Sequence, residues 1–341
     1  MTCCNVWIWP GRAHLYKMAK INVPGFKIGT KEDISKLTGV TVILAPKGGA
    51  TAGVDVRGWA PGTRETDLLR PEKTVQKINA VVLSGGSAFG LEAASGCMKF
   101  LAEEGTGFCV GNVCVPIVCG AVLFDLMIGD SRKYPDLNMG YEAAKSACTD
   151  IQSGCVGAGA GATVGKILGF GCCMKSGAGY HELQLENDVY VGAYVAVNAC
   201  GEVFEDDKIL AGVYDYQKQK ILSSPELILQ GVQREINGIN TTIGCVITNA
   251  ALSKTECHMV SCMTHDGFAR AIRPVHTTMD GDTIFTMASG EIHTSVDTIG
   301  YMAEEAMRLA ILKAVKEAES INNIKAYKDC LLYTSPSPRD A

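Results

Sequence analysis

Asn240-Thr241-Thr242-Ile243-Gly244-Cys245-Val246-Ile247-Thr248-Asn249 is the stretch on which the reading of this chain turns. From Thr242 to Thr248 it is apolar or β-branched at nearly every place, the composition of a strand buried on both faces. A threonine opening such a strand is commonplace, because its branched side chain suits a pleated surface. Thr241 acquires chemistry only if the bond before it is cut. The new chain end would then carry an amine beside its own hydroxyl, and a neutral amine is the base that a threonine nucleophile otherwise lacks. The residues alone leave both readings open: a structural strand residue, or a precursor that cleaves itself at Asn240-Thr241.

Outward from this stretch, strands and helices alternate. Residues 38–45, 50–57, 80–84, 189–199 and 283–288 read as strands, with an irregular loop at 58–64. Residues 88–104, 139–149, 253–271 and 297–320 read as helices; Leu91, Ala94, Met98 and Leu101 give the first of them one apolar stripe. Interleaving of this kind implies an α/β protein. No linker interrupts residues 18–325, which we take as one domain. Residues 154–166 carry glycine at almost every other place, so something must approach that backbone closely, a nucleotide being one candidate. No Walker or dinucleotide fingerprint accompanies the run. Residues 202–238 are the most polar of the middle and read as an exposed, mobile connection that leaves the Asn240-Thr241 bond accessible. Residues 1–17 and 331–341 break composition and are expected to be non-native or disordered.

The 341 residues are 47% hydrophobic with a net charge of −5, enough to build a large core. The absence of a basic patch argues against a nucleic-acid partner, and no apolar run reaches the about 20 residues that span a membrane. The 15 cysteines are scattered. Cys97, Cys119, Cys245 and Cys262 lie in apolar runs, as buried thiols of a reducing, cytoplasmic compartment do. Cys3-Cys4 and Cys172-Cys173 lack zinc-ligand spacing, so neither a metal nor a cofactor is expected.

Several motifs occur in order: Val23-Pro24-Gly25-Phe26, Gly53-Val54-Asp55-Val56-Arg57-Gly58, Pro61-Gly62-Thr63-Arg64-Glu65-Thr66-Asp67 and Leu83-Ser84-Gly85-Gly86-Ser87. After them come Gly157-Ala158-Gly159-Ala160-Gly161, Asn240-Thr241-Thr242, His265-Asp266-Gly267-Phe268-Ala269-Arg270 and Asp280-Gly281-Asp282-Thr283. In these the chain resembles the self-processing aminopeptidases that include the L-aminopeptidase/D-amidase-esterases, the β-peptidyl aminopeptidases and the nylon-oligomer endo-hydrolases. The resemblance implies a layered αββα sandwich like that of the N-terminal-nucleophile hydrolases, with different strand connectivity. It implies cleavage into residues 1–240 and 241–341 and an oligomer of the resulting pair.

The resemblance also assigns roles. Thr241 would be the nucleophile. Asp280 and Asp282, 39 and 41 residues after it (280 − 241 and 282 − 241), would orient its amine and hydroxyl, although an Asp-Gly-Asp sequence is by itself an ordinary turn. Asn198 would stabilise the oxyanion and Lys175 would neutralise the intermediate. Phe124 stands where members of the family tend to have an active-site tyrosine, and phenylalanine donates no hydrogen bond. Apart from the resemblance, His276 lies just before the acidic pair in the sequence and could support it from outside the reacting groups. The expected activity is release of N-terminal amino acids from small peptides, amides or esters. Endo-cleavage of short oligoamides, or ligand binding without hydrolysis, are the alternatives.

Overall fold

The computed structural model describes residues 18–232 and 240–331. The expectations for residues 1–17, 233–239 and 332–341 therefore lie outside the described residues. The principal elements in chain order are β1 (Lys27–Asp33), β2 (Thr38–Leu44), β3 (Ala50–Val56), β4 (Ala80–Ser84), α1 (Ala93–Glu103), β5 (Val118–Val122) and α2 (Leu137–Lys145). They are followed by β6 (Ala178–Gln184), β7 (Tyr190–Asn198), β8 (Thr241–Ala250), α3 (Lys254–Ala271), β9 (Thr283–Ile292) and α4 (Val296–Lys316). One sheet has the order β1-β2-β4-β5 and ends on Gly62–Arg64. The other has the order β6-β7-β8-β9-β3 and ends on Lys77–Ile78.

Alternation along the strands makes the layers. On β8, Ile243, Cys245 and Ile247 face the space between the sheets, where they meet Ile43, Val81, Leu83 and Ala121 of the first sheet. Val246 and Ala250 of the same strand face α3 and α4. On β7, Tyr194 and Ala196 point between the sheets, whereas Val191, Ala193, Val195 and Val197 point to the helices. Val40 and Val42 turn outward under α1 and α2. The result is an α/β sandwich of four layers, helix-sheet-sheet-helix. One polar contact crosses its centre: the hydroxyls of Thr41 and Tyr194 lie 2.7 Å apart, both buried.

The helices follow from their sequences. Ser253 accepts the Glu256 N–H and Glu256 accepts the Ser253 N–H, a reciprocal cap that starts α3. Its buried residues Cys257, Val260, Thr264, Phe268 and Ala271 recur at the helical period. Asp136 caps α2, which runs a few residues earlier than the expected 139–149. The expected helix at 88–104 begins instead as a 3-10 turn over Ser87–Glu92, and the last helix stops at Lys316.

One expectation is met by the chain itself and another is corrected. The glycine-rich run is buried from Gly157 to Ile167, and what approaches it is the chain itself: a Cβ on Gly159 would stand 2.1 Å from the Ala178 nitrogen. No room is left there for a nucleotide. The polar segment after 202 is not an exposed connection. Glu202–Glu205, Lys208–Ala211, Val213–Asp215 and Lys220–Leu222 form strands, and Ser224–Leu229 is a helix. Val203, Leu210, Ala211 and Val213 are buried between charged turn tips, so average polarity hid a short alternating pattern. Among the described cysteines, Cys97, Cys119 and Cys245 are buried thiols and Cys262 is half-buried, but Cys109 and Cys114 are joined across a hairpin.

Phe285 on β9 is fully buried in the layer between the sheets. Phe285→Ala is expected to cost about 3–5 kcal/mol of unfolding free energy, read from the urea midpoint. A loss below about 1 kcal/mol would contradict a close-packed layer at that position.

Candidate active site

Three strand ends build the site. β7 and β8 pair antiparallel, with Asn198 opposite Thr241. β8 and β9 pair parallel, with Ile243 opposite Thr283. The segment before each of these two strands is carried along in register, so Asn240 bridges to Asp280. Four of the five site residues expected from the sequence are thereby brought together: Thr241, Asn198, Asp280 and Asp282.

The Asn240-Thr241 bond is buried rather than accessible: Asn240 is 0% and Thr241 4% exposed. The pairing that aligns β8 with β9 also draws this peptide under the turn that precedes β9. The Gly281 N–H donates to the Asn240 carbonyl oxygen at 3.1 Å, and the Thr241 hydroxyl lies against the same carbonyl group. A Cβ on Gly281 would come 2.8 Å from the Thr241 Oγ1 and 2.5 Å from the Ala60 carbonyl, so only glycine fits the turn. The donor that reaches the Asn240 carbonyl is thus a backbone amide, which has no signature in a list of side chains.

The two carboxylates flank this peptide. Asp282 Oδ1 accepts the Thr242 N–H at 2.7 Å, and Asp282 Oδ2 lies 2.8 Å from His276 Nδ1. Asp280 accepts the N–H groups of Cys200 and Thr277 at 3.2 and 3.0 Å. Burial, reinforced by the charge of Asp282, pushes the Asp280 carboxyl up to about 6. Behind His276 stands His265, at 4.8 Å between ring centres. Burial, with His276 beside it, pushes His265 down to about 4, so near pH 7 it is a neutral packing partner.

Asn198 is held through its side-chain oxygen and one amide hydrogen. Its Nδ2 donates to the Phe124 carbonyl at 3.0 Å, and its Oδ1 accepts the Thr163 N–H at 3.1 Å. Phe124 therefore meets the cluster through its backbone. The lysine at Asn198 is Lys166, not Lys175: Lys166 Nζ donates to Asn198 Oδ1 at 2.7 Å and to its carbonyl at 2.9 Å. The ammonium of Lys175 is spent on the carbonyls of Gly159, Ala162 and Ser176. Burial lowers its affinity for a proton. Sequence carried one sign of Lys166, a charged residue closing the glycine run inside Val164-Gly165-Lys166-Ile167-Leu168.

Comparison with known proteins gives the family and the fold. The profile of Peptidase family S58 matches residues 20–328. An uncharacterized aminopeptidase of Mycobacterium leprae (strain TN) is 39% identical over 316 residues, 85% of each chain. A 6-aminohexanoate-oligomer endohydrolase of Agromyces sp. (strain KY5R) is 30% identical over 330 residues, 90% of this chain and 88% of its own. Among solved structures, a beta-aminopeptidase of Burkholderia sp. superposes with a TM-score of 0.67 at 17% identity, covering 96% of this chain and 98% of that one. The L-aminopeptidase D-Ala-esterase/amidase of Ochrobactrum anthropi, described as a variant of the Ntn-hydrolase fold, gives 0.68 at 15% identity, with 88% and 86% covered. At such identities the structures speak for the fold, and they share the layered sandwich found here. With the profile spanning nearly every described residue, the chain belongs to peptidase family S58.

Proposed function

We propose that this chain is the precursor of an N-terminal-nucleophile amidohydrolase, cut by its own Thr241 into residues 1–240 and 241–341. The observation that carries the reading is the Asn240 carbonyl, pinned by the Gly281 N–H with the Thr241 hydroxyl against it. In the first step the Thr241 oxygen attacks the Asn240 carbonyl carbon and its proton passes to the Asp280 carboxylate. The Gly281 N–H holds the developing oxyanion. The C–N bond then breaks as the Thr241 nitrogen takes up a proton, leaving an ester. Water hydrolyses that ester to the Asn240 carboxylate and the free Thr241 hydroxyl.

The mature site would use the same groups. The Thr241 amine, with an ordinary value of about 8, takes the hydroxyl proton and the oxygen attacks an amide carbonyl. Asp282 and Asp280 orient the new chain end. Asn198, braced by Lys166, presents its second amide hydrogen to the oxyanion. The substrate class is small peptides and amides with a free N-terminus, in keeping with the word aminopeptidase in the name of the M. leprae relative. The two chains remain paired and assemble further. The hairpin carrying exposed Phe108, Val110, Val113 and Val115 offers an apolar surface for that assembly.

Dividing 36.2 kDa in proportion to 240 and 101 of the 341 residues gives bands of about 25 and 11 kDa on a denaturing gel. Thr241→Ala should leave one 36.2 kDa band and no amidase activity. A T241A protein that still divides would sink the assignment. Gly281→Ala, which crowds the Thr241 oxygen and Ala60, is expected to slow division at least tenfold in a protein that still folds. Normal division in G281A would remove this turn from the reaction.

The pH dependence follows from Asp280. As a proton acceptor it works only when ionised, so the rate of division should rise with pH through about 6 and then level off. Asp280→Asn should lower the plateau and abolish that inflection. An unchanged inflection in D280N would assign the titration to another group.

A further inference from the structure

Away from the Thr241 cluster, three donors of different kinds meet at the outer face of the second sheet. They are the Asp55 carboxylate on β3 and the His258 imidazole and Cys262 thiol on α3, and one ligand atom from each lies within 4.8 Å of the others. His258 and Cys262 are four residues apart on the helix, which puts both on one face. Gly53 lets α3 settle against β3, since a Cβ there would stand 2.3 Å from the His258 nitrogen.

That close approach fixes the imidazole. His258 Nδ1 is 2.7 Å from the Val54 carbonyl. A carbonyl only accepts, so Nδ1 carries the proton and Nε2 presents its lone pair. Nε2 lies 3.6 Å from the Cys262 sulfur. A tetrahedral zinc ion, with Zn–S of about 2.3 Å and Zn–N of about 2.0–2.1 Å, holds sulfur and nitrogen at roughly that separation. A carbonyl on the far ring nitrogen is the usual outer support of a metal-binding imidazole. Arg57 locks the frame: its Nε donates to Asp55 Oδ2 at 2.8 Å and its Nη2 to the Cys262 carbonyl at 2.8 Å. The Cys262 thiol also hydrogen-bonds to the Asp55 carboxylate, a contact that a shared cation would replace.

We infer that Asp55, His258 and Cys262 form a zinc site with one oxygen, one nitrogen and one sulfur donor. Hard cations such as magnesium and calcium prefer oxygen alone, whereas this mixed set suits zinc. Loading forms the Zn–S bond as the Cys262 thiol releases its proton to solvent. Asp55 and His258 also border a hollow of about 360 Å³ walled by Thr66, Asp67, Leu69 and Arg70, which gives access to a fourth position. Water or a small ligand takes that place. The donor set shares no residue with the proposed peptidase reaction and is tested separately from it, although Asp55 and Arg57 adjoin that site through His265 and the Asp282 carbonyl.

The test is cobalt titration of the full-length protein, followed by displacement with zinc. One equivalent of cobalt should raise a thiolate-to-metal charge-transfer band that zinc removes. Cys262→Ser should abolish the band, and His258→Ala should weaken binding at least tenfold. Cys148→Ser, which alters an exposed thiol elsewhere, should keep it. Absence of the band in the wild type would leave a metal-free thiol-imidazole contact, and its survival in C262S or its loss in C148S would put the metal on another thiolate; each outcome overturns the site. X-ray absorption of the zinc-loaded wild type needs no variant: one sulfur at about 2.3 Å is expected, and none or two would refute the donor set.

Discussion

The parallel pairing of β8 with β9 is the constraint from which the rest of the structure follows. Ile243 opposite Thr283 places Asn240 beside Asp280 and the Gly281 amide under the Asn240 carbonyl. A slip of one residue would turn Ile243, Cys245 and Ile247 out of the layer between the sheets and bring Val246 in. Hydrophobic burial over the whole strand therefore holds the register, and the register holds a few polar atoms in position. The chemistry sits at the end of the strands because only there can a turn bring backbone amides against a neighbouring strand's peptide.

Burying that peptide forces the surrounding charges into the interior as well. Each has partners: Asp280 takes two backbone amides, Asp282 takes the Thr242 amide and His276, and Lys166 takes both oxygens of Asn198. Unpaired, any of them would be costly in a medium that solvates ions poorly. Paired, they hold Thr241 between groups of opposed character, two carboxylates on one side and a lysine-braced amide on the other. Burial and mutual repulsion raise Asp280 toward neutrality, the range in which a carboxyl can exchange a proton at useful pH.

Elements with strong patterns were legible from the sequence. β2, β4, β7 and α3 lie within a residue or two of the expected bounds, because each is a continuous apolar run or a clear helical stripe bounded by caps and turns. Thr241, Asn198, Asp280 and Asp282 were reached through resemblance, since an Asp-Gly-Asp turn or a strand threonine carries no private signature. What stayed hidden depends on contacts between distant residues. Resemblance pointed to Lys175, and only the fold gives Lys166 to Asn198. The strands after Glu202 are too short for periodicity to rise above their charged tips. The Asp55, His258 and Cys262 cluster escaped because a single His-x-x-x-Cys pair on a helix carries little signal until the fold brings Asp55 to it from a distant strand.

The order of the second sheet has a mechanical side. β8 and β9 are neighbours, with β7 outside one and β3 outside the other. A cut before Thr241 would put β8 and β9 on the small chain and leave both flanking strands on the large one. The small chain would be clasped on each edge by hydrogen-bonded ladders, and its departure would require both to part at once. Continuity of the sheet would then outlive continuity of the backbone. The same topology gives maturation a direction. An intact precursor can unfold and find its way back, because its two halves arrive together. Two separate chains would have to meet again in solution, each with an exposed sheet edge open to the wrong partner. Cleavage would thus convert a protein held by thermodynamics into one held by the slowness of its own unfolding.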